Sequence, residues 1–125
     1  MDQMLAYAPM RRLAALLLAS ALPAFAADAP PAAAKPFAVT LQPKGMHEEC
    51  VKLDAGEKRR YYWKSDAAVD FNVHHHEGND VSYPVKREGM RTDGGTFSAK
   101  IAQDYCWMWT ARDKPVKLEG RIEAR

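Results

Sequence analysis

Three of the four histidines in this chain lie side by side at the end of an alternating segment, residues 69–77. Successive side chains of a β-strand point to opposite faces, so His74 and His76 would share one face while His75 lies on the other. Cα atoms two residues apart in a strand are about 6.6–6.8 Å apart, and metal–nitrogen bonds are about 2.0–2.1 Å long. Both imidazoles can therefore lean toward one ion, and the spacing predicts a transition-metal site.

Two histidines supply only two of the usual three or four metal ligands. His47, Glu48 and Met108 are the candidates to complete the set. Imidazole suits copper and zinc, whereas a thioether favours Cu(I). Copper is therefore slightly preferred over zinc as the predicted ion. The alternative is that His74 and His76 are solvated strand residues with no physiological metal.

Motifs of common enzyme classes are absent from the sequence. There is no G-x-S-x-G elbow, no H-E-x-x-H helix and no glycine-rich phosphate loop. A metal-dependent hydrolase would need an open coordination position and a base, for which Glu48 or Glu77 could serve. Carboxylates are common on any protein surface, so the sequence favours a non-catalytic binding module over an enzyme.

The first 26 residues have the pattern of a signal peptide. Basic Arg11 and Arg12 precede a short apolar run, and an A-x-A site predicts cleavage after Ala26. The apolar run is too short to span a bilayer, which takes about 20 residues. We therefore expect a periplasmic or secreted protein with no stable membrane insertion after cleavage.

After cleavage we expect a flexible, Pro/Ala-rich leader at residues 27–36 and one domain at residues 37–125. Loss of residues 1–26 lowers the formal charge from +2 to +1. Nothing in that balance calls for a nucleic-acid partner, and the basic run at residues 58–60 is better explained as a solvated strand edge.

Cys50 and Cys106 are the only cysteines in the chain. In an oxidising compartment an even pair in a small domain predicts one disulfide, which would stabilise the fold by about 4 kcal/mol in the chain-entropy model. The alternative is a pair of soft metal ligands.

Apolar residues recur at a period near two along most of the domain, with no convincing amphipathic helix. The chemistry-bearing residues would therefore be positioned by a small antiparallel β-sandwich of seven to eight strands. The predicted strands are residues 37–41, 49–53, 59–64, 69–75, 81–86, 96–99, 104–111 and 116–122. Pro84 has no backbone N–H to donate to a neighbouring strand, so we expect its strand to be an edge strand or to contain a bulge.

The strand at residues 104–111 is apolar on both faces. Cys106 and Met108 share one face, and an aromatic row of Tyr105, Trp107 and Trp109 shares the other. The row predicts either buried packing or an exposed strip for an extracytoplasmic protein partner. A partner could also add to the edge strand around Pro84.

The order of these features resembles the GOLD (Golgi dynamics) domain, a lumenal β-sandwich of early-secretory cargo receptors. The resemblance covers roughly residues 46–111 and rests on residues 47–50, 53–56, 69–73, 77–83, 95–99 and 104–107. It implies a sandwich with a disulfide between Cys50 and Cys106. The cargo-receptor family also carries a coiled coil and a membrane span, which this sequence does not show, so only protein binding through a sheet face carries over by analogy.

Overall fold

Six antiparallel β-strands form one curled sheet in the computed structural model, which describes residues 35–124. The strands are β1 (Lys35–Leu41), β2 (Met46–Leu53), β3 (Lys58–Glu77), β4 (Asp80–Ser98), β5 (Gln103–Ala111) and β6 (Val116–Ala124). The predicted signal peptide and nearly all of the predicted leader lie outside the described residues. Within residues 35–124 no helix has the length and apolarity needed to cross a membrane.

The 20-residue strand β3 organises the sheet. Its first half pairs with β6 and its second half with β5, while β4 follows its other side. β1 then adds to β6, and β2 adds to β5. The sheet therefore has two wings, β1–β6 and β2–β5, which curl toward each other over a shared interior.

The alternating pattern of the sequence places one row of every strand in that interior. From β3 come Tyr61, Trp63 and Phe71, and from β5 come Trp107 and Trp109; each is at most 7% exposed. Aromatic residues bury large areas, and their rings here meet edge-on, as between Trp63 and Trp109 at 6.4 Å, or stacked, as between Phe71 and Trp109 at 5.4 Å. Burial of this aromatic interior supplies much of the driving force for folding.

The prediction of an all-β antiparallel fold with one disulfide is confirmed, whereas the prediction of a seven-to-eight-strand sandwich is corrected to a curled sheet of six strands. Two predicted pairs are continuous strands: residues 59–64 and 69–75 both belong to β3, and residues 81–86 and 96–99 both belong to β4. At the polar interruptions the chain does not turn but continues as a strand, with shifts of register in the β3–β4 ladder.

Pro84 lies where the sequence places it, on an edge strand and in a bulge. β4 pairs only with β3 among the described strands, and Val85 faces Val73 while Ser82 faces His75. Tyr83 and Pro84 together therefore stand opposite a single β3 residue, His74. A bulge at this point tolerates the missing ladder donor of proline and redirects the neighbouring side chains.

Gly120 allows three strands to approach closely in the β1–β6 wing. A Cβ atom at this position would lie 2.7 Å from Phe37 Cζ, 2.7 Å from the Tyr62 carbonyl oxygen and 2.8 Å from Trp63 Cβ. We expect Gly120→Ala to lower the free energy of unfolding by about 1–3 kcal/mol through overpacking. Gly95→Ala is the control, because its Cβ would meet nothing nearer than 3.9 Å. Equal denaturation midpoints for the two variants would contradict this packing.

Asp70 links β3 to the bulged edge strand and to the end of β5. Its Oδ1 accepts hydrogen bonds from Arg112 Nη2 at 2.8 Å, Arg112 Nε at 3.0 Å and the Gly89 amide at 2.9 Å. Partial burial raises the pKa of Asp70, but these hydrogen bonds and the charge of Arg112 outweigh it, so the net pKa lies below its usual value.

A depressed carboxyl pKa makes this link dependent on pH. Its contribution to stability is present above the unfolded pKa of about 3.9 and is lost as the pH falls through the lower folded value. We expect Asp70→Asn to be less stable than the wild type at pH 7, with the difference shrinking as the pH falls below about 4. Denaturant melts at several pH values measure it, and a difference that grows in acid would contradict the link.

Candidate functional site

The candidate site lies on the outer face of the sheet, where β3, β5 and β2 run side by side. His74 of β3 stands directly opposite Cys106 of β5, and Cys106 stands directly opposite Cys50 of β2. Cys50 and Cys106 are joined by a disulfide, which confirms the predicted bridge. The ladder thus forms one row of an imidazole and two sulfur atoms across three strands.

The neighbouring row on the same face supplies the polar partners. Asn72 stands opposite Met108, and Met108 stands opposite Glu48. Residues two apart in a strand share a face, so this row lies directly beside the His74 row. The register therefore brings Met108 and Glu48, two of the predicted ligands, to the same face as His74.

Both ring nitrogens of His74 have oxygen neighbours, although the residue is only 5% exposed. Nδ1 lies 2.7 Å from Asn72 Oδ1, and Nε2 lies 3.2 Å from Glu48 Oε1. Burial lowers the pKa of His74 and outweighs the opposing effect of the Glu48 charge. The neutral ring is therefore the favoured form at pH 7. A neutral imidazole has a single N–H, so it can donate a hydrogen bond to only one of the two oxygen atoms.

In the tautomer whose Nδ1–H donates to Asn72 Oδ1, the lone pair of Nε2 points toward the Glu48 carboxylate, whereas in the other tautomer Nε2–H donates to it. Metal-ligating histidines commonly have the first arrangement, in which an oxygen fixes one nitrogen and leaves the other for the ion. Two ligand atoms bound to one tetrahedral ion at about 2.0–2.2 Å lie about 3.3 Å apart, close to the separation seen here. The His74–Glu48 separation fits two ligands of one cation as well as a hydrogen bond between the two side chains.

His76 lies beside His74, as the strand pattern predicts. Their ring centroids are 5.3 Å apart and their planes are nearly perpendicular. The bulge in β4 sets Tyr83 against the same cluster, with its ring 5.8 Å from that of His74. His74 is therefore enclosed while the neighbouring His76 is exposed, which gives the cluster one open side.

His47 lies on the opposite face of the sheet and is removed from the predicted ligand set. It stands opposite Trp109, and its ring packs 5.1 Å from Phe37 and 5.9 Å from Trp109. Its Nε2 lies 3.1 Å from Glu49 Oε1, and Glu49 also pairs with Lys35. The period of two that places Glu48 beside His74 necessarily turns His47 inward.

His75 also faces away from the site, toward the interior. It is 7% exposed, packs edge-on against Tyr105 at 5.2 Å, and its Nδ1 has no hydrogen-bond partner among the described residues. Glu77 Oε1 is 3.9 Å from that nitrogen. Glu77 is thus on the His75 side rather than at the His74–Glu48 pair.

The aromatic row of β5 does not form an exposed strip. Tyr105, Trp107 and Trp109 are 2%, 0% and 1% exposed, so of the two alternatives for this row the structure has buried packing and not an exposed partner strip. The curling of the sheet turns this face inward, where Phe37 of β1 packs 4.7 Å from Trp109. The other face of β5, with Cys106 and Met108, is the one that borders the candidate site.

Asn72 and Tyr83 contact His74 but are not among the predicted ligands. Asn72 is two residues from His74 in an extended segment, and this spacing alone is enough to place it on the same face. Tyr83 reaches the cluster only because of the bulge at residues 83–84, whose direction a proline alone does not reveal.

No protein-family model matches the chain, and no curated protein is similar to it in sequence. The GOLD resemblance therefore stays a prediction. Among solved structures the fold is similar to PliG, a periplasmic inhibitor of g-type lysozyme from Aeromonas hydrophila, with a TM-score of 0.56 and 10% identity over 75% of this chain and 88% of that one. It is also similar to the Yersinia pseudotuberculosis-derived mitogen, with a TM-score of 0.57 and 11% identity over 76% of this chain and 87% of that one. At these identities the likeness concerns the fold: an all-β architecture that is also found in a periplasmic inhibitor.

Proposed function

We propose that this chain is an exported, non-catalytic binding module that holds a transition-metal ion through His74, His76 and Glu48, with Met108 as a further donor. The observation that carries the proposal is the facing pair of His74 Nε2 and Glu48 Oε1, 3.2 Å apart, with Nδ1 held by Asn72. The disulfide supports an extracytoplasmic location.

Copper is the preferred ion and zinc the second. Two imidazoles with a carboxylate suit either Cu(II) or Zn(II), and the thioether of Met108 would add affinity for Cu(I). The exposed His76 gives an ion access from solvent, while the enclosed His74 offers a ring that is already oriented. A preoriented ligand loses less conformational entropy on binding, which favours specific over adventitious uptake.

The test is a titration of tag-free, chelator-stripped residues 27–125 with Cu(II), Cu(I) and Zn(II) under non-reducing conditions. We expect one ion per chain, and at least a roughly 100-fold loss of affinity in the double variant His74→Ala, His76→Ala, because both imidazole ligands are removed.

His47→Ala is the matched control, since it removes one histidine from the opposite face and should keep wild-type affinity. Isothermal calorimetry or chelator competition measures the metal affinity of the wild type, the double variant and the control. Binding no tighter than that of an unstructured tri-histidine peptide, or equal losses in the control and the double variant, would contradict the proposal.

A second candidate function is protein binding through β4. This strand has no partner on its outer side among the described strands, and it exposes Tyr83 at 50% and Val81 at 38%. Open strand edges accept an added strand from a partner. The fold shared with a periplasmic lysozyme inhibitor makes g-type lysozyme the first partner to test.

A lytic assay with g-type lysozyme separates this candidate from the metal module. Inhibition by the wild-type chain that is lost in a Val81→Lys, Tyr83→Ala variant would support the edge-strand surface. Full lysozyme activity at a large excess of the chain would exclude this partner.

A further inference from the structure

The disulfide adjoins the His74–Glu48 pair directly. One donor atom each from Glu48, His74 and Cys106 lies within 4.8 Å of the others. Cys50 is next in the same row, with its Cα 4.0 Å from that of Cys106. In the disulfide these sulfur atoms are bonded to each other, so neither is a thiolate, the form of cysteine that binds metals.

We propose that reduction of the Cys50–Cys106 disulfide creates a zinc site in which both thiolates join His74 and Glu48. This inference uses the same His74–Glu48 pair as the proposed function but needs neither His76 nor the oxidised form. Two thiolates, an imidazole and a carboxylate are a donor set that Zn²⁺ accepts in tetrahedral geometry. The redox state of the disulfide would thus determine whether the ion is bound by a histidine-based site or by a thiolate-based site.

The ladder keeps the two thiols adjacent after reduction. β2 and β5 pair along residues 46–53 and 103–110, and the two cysteines are opposite each other in the middle of that ladder. Their separation in the folded protein is therefore maintained by backbone hydrogen bonds on either side as well as by the sulfur–sulfur bond. Cys50 is exposed, which gives an incoming thiolate access to the bond.

The reaction is a thiol–disulfide exchange followed by metal binding. A dithiol reductant donates two electrons and two protons, its own sulfurs form a disulfide, and the Cys50–Cys106 bond becomes two thiols. Zn²⁺ then replaces one proton on each thiol, so two zinc–sulfur bonds form and two protons are released. In a test tube a phosphine reductant supplies the two electrons, while one water molecule supplies the oxygen of the resulting phosphine oxide and the two protons of the thiols.

The experiment compares zinc affinity of the metal-free protein before and after reduction with tris(2-carboxyethyl)phosphine, using competition with a chromophoric chelator. We expect at least a roughly 100-fold lower Kd for Zn²⁺ after reduction, because thiolates are the stronger zinc ligands in this set. Co²⁺ in place of Zn²⁺ should then show thiolate-to-metal charge-transfer absorption, which the oxidised protein lacks. Circular dichroism follows the fold in every sample.

Three variants separate this inference from the proposed function. Cys50→Ser, Cys106→Ser should show no gain on reduction. His74→Ala should lose most of the gain although both thiols remain, whereas His76→Ala should keep it while weakening the oxidised site.

An unchanged zinc Kd on reduction, or a gain that His74→Ala retains in full, would overturn the inference. If reduction unfolds the chain, recovery of the β-sheet spectrum on adding Zn²⁺ supports the site, and failure to recover overturns it. Weak metal binding by the oxidised protein bears on the proposed function alone.

Discussion

Replacement of Trp107 by alanine is expected to lower the free energy of unfolding by about 3–5 kcal/mol. The side chain is fully buried, and its ring meets those of Phe97 at 5.6 Å and Tyr61 at 6.2 Å. Truncation leaves a cavity between strands that the ladder holds apart, so the surroundings can relax only in part. Because small domains have about 5–15 kcal/mol of stability in total, a large share would be lost.

Tyr62→Ala is the control for this experiment. Tyr62 is an aromatic residue of the same sheet, but it is 43% exposed, so its removal should cost much less. Denaturant unfolding followed by tryptophan fluorescence and circular dichroism measures both variants. If Trp107→Ala stayed within about 1 kcal/mol of the wild type, the buried packing of the β5 aromatic row would be contradicted.

Removal of the disulfide is expected to have the second-largest effect. The bridge joins residues 56 positions apart, and the double variant Cys50→Ala, Cys106→Ala should lose about 2–4 kcal/mol of unfolding free energy. In the chain-entropy model the loss comes from a freer unfolded chain, so the native β-sheet spectrum should persist. Chemical denaturation gives the free energy and circular dichroism gives the spectrum.

Reduced wild-type protein should match the double variant in the absence of metal, because both lack the same covalent constraint. A double variant as stable as the oxidised wild type would show that the bridge contributes nothing to stability. A native spectrum that disappears in the variant would show instead that the β2–β5 ladder depends on the covalent link.

The extended segment at residues 69–77 could be predicted from sequence because its alternation is uninterrupted. The two-residue alternation of side chains places Asn72, His74 and His76 on one face of the strand and correctly turns Phe71 and Val73 inward. Applied to β2, it would also have separated His47 from Glu48, since neighbouring residues of a strand cannot share a face. Treating both as ligands of one ion therefore overlooked a constraint that the sequence already contained.

The length of β3 and β4 could not be predicted, because bulges leave no simple signature in sequence. Residues 65–68 break the alternation, yet the chain continues as a strand, with Ser65 Oγ donating to the Ala67 carbonyl at 2.7 Å. Asp93-Gly94-Gly95 has turn composition but pairs with residues 61–63 of β3. Tertiary pairing overrides local preference at both places.

The burial of the β5 aromatic row depends on the curvature of the whole sheet. A strand that is apolar on both faces indicates that both are covered, but it does not say which face is interior. Here the Cys106 face is partly covered by the disulfide and His74, and the Trp107 face is covered by the opposite wing. Curvature arises from how β3 divides its partners between β5 and β6, a long-range property that no local pattern encodes.

The pairing of β1 with β6 joins the two ends of the described chain, with Lys35 opposite Ile122. During synthesis β1 emerges before the other described strands, but the surface it joins is not made until β6 appears. The complete sheet therefore cannot assemble until β6 has been made, and its rate is limited by the search for distant pairings, on the order of milliseconds to seconds for such topologies. Until then the apolar residues of β3 and β5 remain uncovered, so this interval is when the protein most needs protection from aggregation.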